Sequence, residues 1–347
     1  MTKRPRKRRS RRSVPDLPSP PSTGGPPAGH GAAPPARAQT RQGVVVTLYS
    51  GSCRVESDGR VYECFLPSRL ARDQQSAVAA GDVVRFAPHG GDYRVEEVRP
   101  RRTVLSRPDP QQPRQERVIA ANVDVVVQVS SVVRPPLRLS LIDRYLIAIE
   151  RGGAECMICV NKVDLLAADE VAAALAELDA YREMGLPVLA CSARTGAGID
   201  ELRVALAGRT AVFVGHSGVG KSSLMNALAP ELELATSEVS RRHARGRHTT
   251  TRACLYRLAG DVRLIDTPGI RELGLGPMTP AELRLYFPEL EAAAPRCRFS
   301  DCGHTHEPDC AVRAAVGEGR ISPARYATYV RLLESLADAG PGLAPAP

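Results

Sequence analysis

Between Gly43 and residue 98, apolar and polar side chains alternate in short runs separated by turn sequences such as Ser57-Asp58-Gly59. A period of two residues is typical of β-strands with one buried face. The five runs are GVVVTLY, SCRVES, RVYECFL, DVVRFA and YRVEEV. Five short strands in succession predict a small β-barrel of the OB type, and an SH3-like barrel would produce much the same pattern.

A different pattern begins near residue 118, where apolar runs typical of strands alternate with amphipathic runs typical of helices. In chain order these runs are VDVVVQVSS, LIDRYLIAIER, CMICV, ADEVAAALAELDAYREMG, PVLAC, GIDELRVAL and AVFV. Strands that alternate with helices predict a parallel sheet covered by helices on both faces. Ligands of such sheets bind at the carboxyl ends of the strands, so the residues that follow each strand are the candidates for chemistry.

The pattern and the composition together predict a multi-domain chain with an N-terminal OB-type β-barrel, a central α/β domain and a C-terminal helical domain. The final helix-like run is SPARYATYVRLLESL, in which Tyr326, Tyr329, Val330 and Leu333 recur at helical spacing and are expected in a core. A basic tail precedes the barrel, and a Pro-rich linker follows it. The predicted boundaries are 1–41 for the tail, 42–105 for the barrel, 106–117 for the linker, 118–276 for the α/β domain and 277–340 for the helical domain.

The net charge of +9 is concentrated in the tail, because residues 1–12 contain eight Lys or Arg and no acid, which leaves about +1 for the rest. The tail has too few apolar side chains to offset the entropy of ordering, so we expect it to be disordered. A non-specific RNA contact is the preferred interpretation. The alternatives are a run that mimics a nuclear signal, a solubilising tail and an organellar transit peptide. The folded body can contact a polyanion only through local patches. Arg99, Arg101, Arg102 and Arg107 are one candidate patch, with a solvated basic edge as the alternative.

Apolar run lengths and cysteine usage bear on the compartment. No run approaches the roughly 18 apolar residues that a membrane-spanning helix needs, so no such helix is expected. The chain has nine cysteines, an odd number that is unevenly spaced, which indicates reduced thiols with one metal cluster near the C-terminus. Cys156 and Cys159 have CxxC spacing, but they lie in a predicted strand and are interpreted as core residues. These features favour a cytoplasmic protein.

The sequence GHSGVGKS, Gly215 to Ser222, follows the strand AVFV and precedes the helix-like run SLMNALA. Glycines let backbone N–H groups turn around an anion, and the helix N-terminus adds partial positive charge. Lys221 is expected to reach the β and γ phosphates, and Ser222 to ligate Mg²⁺. The predicted phosphate-binding residues are Gly215, His216, Ser217, Gly218, Val219, Gly220, Lys221, Ser222 and Ser223.

Two other strand ends carry residues suited to read guanine. Asn161-Lys162-Val163-Asp164 follows CMICV, and a carboxylate at Asp164 can accept the N1 and N2 protons of guanine, a pairing that adenine lacks. The stem of Lys162 can lie along the base. Ser192-Ala193 follows PVLAC, where a backbone N–H can meet the guanine O6. The alternative for the first motif is a helix N-cap made by Asn161 or Asp164.

The fourth motif, Asp266-Thr267-Pro268-Gly269, follows the strand VRLI. Asp266 is expected to hold Mg²⁺ through water, and the N–H of Gly269 to approach the γ phosphate. Residues 236–252 lack apolar periodicity, which predicts a mobile loop that closes on Mg²⁺ through a threonine. Thr250 is the preferred ligand, and Thr249 and Thr251 are alternatives.

The order of these motifs is unusual. In ordinary GTPases the phosphate loop comes first and the guanine-binding motif last, whereas here NKVD and SA precede the phosphate loop. A circular permutation would produce this order. The sequence resembles the RsgA (YjeQ) family of circularly permuted GTPases that depend on the small ribosomal subunit. The resemblance covers about residues 43–335 and rests on the barrel, AANVD, NKVDL, GHSGVGKSSL, GRHTTT, DTPG and the cysteine cluster.

The resemblance implies an OB barrel, a permuted GTPase domain and a zinc-bearing C-terminal domain. It implies action late in maturation of the 30S subunit, with 16S rRNA as a contact and hydrolysis stimulated by the subunit. It also suggests that His248 helps to position the attacking water, a role that Ile270, directly after DTPG, cannot take. A plain loop histidine or an RNA contact is the alternative for His248.

Three cysteines and a histidine near the C-terminus have the spacing of a metal site. Cys297, Cys302 and Cys310, with His304 or His306, supply four ligands for a closed, structural tetrahedral Zn²⁺ site. The resemblance favours His304. A short segment with few apolar residues needs such a site to fold.

These motifs predict a GTP hydrolase, expected to be a monomer that binds GTP and GDP. Lys221, His248 and Thr250 are the expected catalytic residues, and Mg²⁺ is expected on Ser222, Thr250 and Asp266. Two rival hypotheses are an RNA-binding assembly factor with a structural nucleotide, and a permuted GTPase that acts on the large subunit.

Overall fold

A computed structural model describes residues 40–71, 78–108, 116–232, 253–267, 273–276 and 278–338 of the 347-residue chain. Residues 1–39, most of the predicted tail, therefore lie outside the described part. Within the described ranges, no helix is both long enough and apolar enough to cross a membrane.

The first five strands close into the predicted barrel. They are β1 (Arg41–Tyr49), β2 (Ser52–Ser57), β3 (Arg60–Phe65), β4 (Val83–His89) and β5 (Asp92–Val98). Strand β1 pairs with both β2 and β4, while β5 joins β3 to β4, so the order β1-β2-β3-β5-β4-β1 is a closed circuit. Alternate residues such as Val45, Val55 and Phe86 are fully buried inside it. The OB-type barrel predicted from the alternating pattern is confirmed. A short helix, α1 (Ser68–Ala71), follows β3.

The described ends of the predicted linker are strands. Strand β6 (Val104–Pro108) pairs antiparallel with β7 (Glu116–Ala121), and residues 109–115 between them lie outside the described part. The Pro-rich composition predicts a linker here. Pro108 ends β6, and both strands of this two-stranded sheet are edge strands, in which proline is tolerated.

The central domain has the alternating order expected. Its elements are β8 (Val125–Ser131), α2 (Leu139–Arg151), β9 (Glu155–Asn161), α3 (Ala168–Ala176), α4 (Asp179–Glu183), β10 (Val188–Ala190), α5 (Ile199–Leu206), β11 (Thr210–Val214), α6 (Lys221–Leu228), β12 (Cys254–Arg257) and β13 (Arg263–Asp266). Strands β10, β9, β8, β11 and β13 are parallel neighbours in that order, and β12 is antiparallel to β13. The single helix expected over ADEVAAALAELDAYREMG is two helices, because the backbone leaves the helical region at Leu178, whose side chain is fully buried.

The barrel and the parallel sheet form one continuous sheet of eleven strands. Strand β12 pairs antiparallel with β1 through Thr47 and Cys254, and Arg257 of β12 forms an ion pair with Glu56 of β2 at 2.8 Å. This continuity was not predicted from the sequence.

The C-terminal domain is helical, as predicted. It contains α7 (Pro280–Arg284), α8 (Pro288–Ala293), α9 (Ala311–Gly317) and α10 (Pro323–Asp338). Thr279 and Glu282 form a capping box at the start of α7, and Pro280 occupies its first turn. Tyr329 is buried among Leu283, Phe287 and Leu332, while Tyr326, Val330 and Leu333 pack against the same cluster. The predicted core face of the last helix is therefore correct.

Candidate functional site

The loop between β11 and α6 is shaped by three glycines with positive φ. Gly215 has φ 145°, Gly218 has φ 85° and Gly220 has φ 93°. A Cβ on Gly215 would lie 2.3 Å from the carbonyl oxygen of Val129, and one on Gly220 would lie 2.3 Å from Nδ2 of Asn161. The loop therefore needs glycine both for its backbone conformation and for its close approach to the neighbouring strand ends.

Asn161 joins the glycine loop to the loop after β10. Its side chain is buried, and its Nδ2 donates to the carbonyl oxygen of Val219 at 2.8 Å. The backbone N–H of Ala193 donates to Oδ1 of Asn161 at 3.1 Å. Val219 lies 58 residues and Ala193 32 residues from Asn161 along the chain. One side-chain amide thus fixes the distance between the predicted phosphate-binding loop and the predicted guanine-binding loop. This is a tie between loops, not the N-cap considered from the sequence.

Lys162 lies across the mouth of the site. Its backbone is left-handed, with φ 65°, and its Nζ donates to the carbonyl oxygens of Arg134 at 2.6 Å and Gly218 at 2.5 Å. Burial, and then the charge of Arg134, lower the pKa of Lys162. Lys162 therefore bridges the glycine loop and the loop after β8.

Asp164 has partners for both carboxylate oxygens. Ser192 Oγ donates to Oδ1 at 2.5 Å, and Arg194 Nε donates to Oδ2 at 2.7 Å. The hydrogen bond from Ser192 and then that from Arg194 hold the pKa of Asp164 below its ordinary value. Asp164 is consequently an ionised acceptor at neutral pH, which is the form that can receive two N–H donors.

Lys221 begins α6 and folds back over the glycine loop. Its Nζ donates to the carbonyl oxygens of Gly215 at 2.6 Å and His216 at 3.1 Å. Ser222 and Ser223 occupy the first turn of the same helix, where backbone N–H groups have no intrahelical partner. The ammonium group and the N-terminus of α6 therefore bring positive charge to the glycine loop, which suits an anion.

Asp266 ends β13, directly beside the strand that leads into the glycine loop. Burial raises the pKa of Asp266, against the hydrogen bond from the N–H of Thr267. A carboxylate whose charge is disfavoured by burial is suited to a neighbouring cation, so Asp266 and Ser222 fit the oxygen ligands that Mg²⁺ takes. His248, Thr249, Thr250, Thr251 and Gly269 lie outside the described residues.

The Cys297, Cys302, His304 and Cys310 side chains converge in the C-terminal domain, with their potential ligand atoms within 4.8 Å of one another. Cys297 Sγ lies 3.9 Å from Cys310 Sγ, and His304 Nδ1 lies 3.6 Å and 3.7 Å from those two sulfurs. Tetrahedral Zn²⁺ with Zn–S bonds of about 2.3 Å requires sulfur–sulfur edges of about 3.8 Å and slightly shorter sulfur–nitrogen edges. The donor set and its spacing fit a structural zinc ion.

The surroundings distinguish the two candidate histidines. His304 is buried within the cluster, whereas His306 is exposed and its Nδ1 lies 2.9 Å from Thr305 Oγ. Glu307 accepts N–H groups from Gly303, Thr305 and His306, and so holds the chain in its turn around the cluster. Cys156 and Cys159 are buried in β9, in agreement with their interpretation as core residues.

Sequence reasoning missed Arg134 and Arg194. The first contacts Lys162 through its carbonyl oxygen and acts on the pKa of Lys162 through its charge, and neither effect belongs to a recognisable sequence motif. The second follows the SA dipeptide directly, and an arginine two residues after a serine expected near a carboxylate was a usable signal.

Known proteins resemble this chain both in sequence and in structure. A family model described as RsgA GTPase matches residues 98–276. The small ribosomal subunit biogenesis GTPase RsgA of Chlorobaculum parvum is 41% identical over 310 residues, which cover 86% of this chain and 99% of that protein. The crystal structure of YjeQ from Thermotoga maritima matches with a TM-score of 0.70 and 33% identity, over 86% of this chain and 99% of that one. The structure of YloQ, described as a circularly permuted GTPase, matches with a TM-score of 0.67 and 28% identity, over 89% and 99% of the two chains.

Proposed function

The chain belongs to the RsgA GTPase family, and from this premise we propose that it hydrolyses GTP during biogenesis of the small ribosomal subunit. The observation that carries the proposal is the tie made by Asn161 between the glycine loop and the loop of Ala193, with Asp164 beside it. A phosphate cradle and a guanine acceptor at a fixed separation suit a guanine nucleotide and disfavour an adenine nucleotide.

In this proposal each residue has a stated task. Asp164 accepts the two N–H groups of the base, Ala193 offers its N–H to O6, and Lys162 covers one face of the ring. The amides of residues 215–223 and the ammonium of Lys221 surround the phosphates and stabilise the charge that develops as water attacks the γ phosphate in line.

The remaining tasks fall partly on residues outside the described ranges. Ser222, Asp266 and Thr250 would hold Mg²⁺, which when bound neutralises charge on the β and γ phosphates. Gly269 approaches the γ phosphate, and His248 positions the attacking water.

The proposed partners are the 30S subunit and its 16S rRNA, contacted by a monomer in the cytoplasm. None of the nine cysteines, all of which lie in the described ranges, forms a disulfide, which supports a reducing compartment. Cys297, Cys302, His304 and Cys310 would hold one structural zinc ion. We retain the division into barrel (42–105), GTPase domain (118–276) and zinc domain (277–340). We propose that GTP orders residues 240–252 and the segment after Gly269, that this reorients the zinc domain against rRNA of the 30S subunit, and that hydrolysis releases the protein.

The decisive experiment measures hydrolysis of GTP and ATP by the purified chain, alone and with added 30S or 50S subunits. We expect GTP hydrolysis that 30S subunits stimulate strongly, no stimulation by 50S subunits, and inert ATP. Slow GTP hydrolysis that neither subunit accelerates would instead favour an assembly factor with a structural nucleotide. Stimulation by 50S subunits alone would move the function to the large subunit.

A further inference from the structure

Arg194 pairs with the carboxylate that the proposed guanine base would need. Its Nε donates to Oδ2 of Asp164 at 2.7 Å, while Ser192 holds Oδ1. The Asp164 side chain is 9% exposed, but that of Arg194 is 71% exposed. The carboxylate is therefore held in place by the protein, and its arginine partner lies on the solvent side, where an arriving base would approach.

A guanidinium and the Watson–Crick edge of guanine offer a carboxylate the same chemistry. Each is planar and presents N–H donors in one plane, and each pairs best with an ionised carboxylate. Guanine and Arg194 therefore compete for Oδ2 of Asp164. We propose that Arg194 is an internal competitor of guanine that weakens nucleotide binding and speeds nucleotide release. This inference rests on the proposed function, because it takes Asp164 as the guanine acceptor.

The structure indicates which state of the site, empty or nucleotide-bound, Arg194 stabilises. When the base leaves, Arg194 replaces one of its donors, so Oδ2 of Asp164 is not left without a partner. When the base enters, the exposed guanidinium swings into water at little cost, because its chain is already mostly solvated. Arg194 thus lowers the free energy of the empty state relative to the bound state, and lowers the barrier between them.

The expected change in GDP affinity follows from the solvent exposure of the Arg194–Asp164 ion pair. Ion pairs with one well-exposed partner contribute up to about 1 kcal/mol, which corresponds to about a fivefold change in Kd. Removal of Arg194 should therefore tighten GDP binding by roughly two- to fivefold, mostly through slower dissociation. The gain should shrink as salt is raised, because salt screens exposed charges.

The test measures Kd and the dissociation rate of GDP and inosine diphosphate for the full chain, as wild type, Arg194→Ala and Arg194→Lys. Arg203→Ala is the matched control, because it removes another exposed arginine that pairs with an aspartate, on α5. We expect tighter and slower-dissociating GDP for Arg194→Ala, an intermediate result for Arg194→Lys, and wild-type values for the control.

Inosine diphosphate separates competition from a general effect on folding. It lacks the exocyclic amine, so one carboxylate oxygen can stay with Arg194, and Arg194→Ala should tighten its binding less than that of GDP. Unchanged or weaker GDP binding by Arg194→Ala, at an unchanged melting temperature, would overturn the inference while the proposed function stands. Equal affinity of the wild type for GDP and ADP would overturn the proposed function itself, and this inference with it.

Discussion

Asn161 is a single side chain on which two loops of the nucleotide site depend. Its replacement by alanine leaves the carbonyl oxygen of Val219 and the N–H of Ala193 without their partner, and each loop is then free to move. We expect Asn161→Ala to weaken GDP binding by about ten- to a hundredfold, equivalent to about 1.4 to 2.8 kcal/mol. Titration with a fluorescent GDP analogue measures this.

Asn161→Asp is the companion variant. It keeps the acceptor for Ala193, but it loses the donor to Val219 and sets a carboxylate against that carbonyl oxygen. Its GDP affinity should be no better than that of Asn161→Ala. Affinity within twofold of wild type for both variants would show that the tie does not organise the site.

Arg325, on α10, is a buried charge that joins its helix to two others, α2 and α8. Its guanidinium donates to Asp143 of α2 at 2.7 Å and to both carboxylate oxygens of Glu289 at 2.7 and 3.1 Å. Tyr181 donates to the same oxygen of Asp143 at 2.7 Å, and Phe287 lies under the guanidinium at 4.7 Å. Neither Arg325 nor Asp143 has appreciable solvent access.

Arg325→Met removes one member of this network and leaves a buried carboxylate unpaired. The expected loss is about 3 to 5 kcal/mol of unfolding free energy, which urea denaturation measures. Arg331→Ala, an exposed arginine on the same helix, should change stability by less than about 0.5 kcal/mol. The double variant Asp143→Leu with Arg325→Met should recover much of the loss, and a double variant no more stable than the single one would contradict this account.

The elements that the sequence predicts well are those whose pattern is local. The repeat of apolar residues in a strand or a helix can be recognised within a few residues of sequence. The barrel strands, helix α6 after the glycine loop and the last helix were therefore predictable. Contacts between distant residues were not. Asp143 and Arg325 are 182 residues apart, and Asp143 lies in a helix whose apolar face gives no sign of a charged partner. The break at Leu178 was hidden for a similar reason, since packing against the core overrides a good helical composition.

The same distinction holds for the site. Glycine loops and strand ends could be predicted because each motif carries its own chemistry. The orientation of Lys162 toward Arg134 and the pairing of Arg194 with Asp164 depend on the loop after β8 and on a turn after β10, which only the folded sheet brings together.

At the scale of the whole molecule, the barrel covers the edge of the GTPase sheet. Strand β1 supplies the neighbour of β12 at Thr47 and Cys254, and the Arg257–Glu56 ion pair adds to the junction. Removal of residues 1–98 would take away the one residue of β1 that pairs with β12 and the ion-pair partner of Arg257, and would expose this edge of the sheet, a state that favours association between chains. We expect this truncated chain to aggregate in size-exclusion chromatography.

A chain that lacks only residues 1–39 is the control, because it retains every barrel strand, and we expect it to elute as a monomer. A chain without the barrel that stayed monomeric and bound GDP with wild-type affinity would show that the GTPase sheet does not need β1 beside β12.

The shared sheet also bears on how such a protein can change over evolutionary time. A domain attached by a flexible connection can be lost, duplicated or exchanged without harm to its neighbour. Here the loss of the barrel would take with it the hydrogen-bonding neighbour of a strand in the enzyme itself. Barrel and GTPase domain should therefore be inherited together as one unit, with β1 and β12 changing in concert, while the segment before Arg41 is free to vary in length and composition.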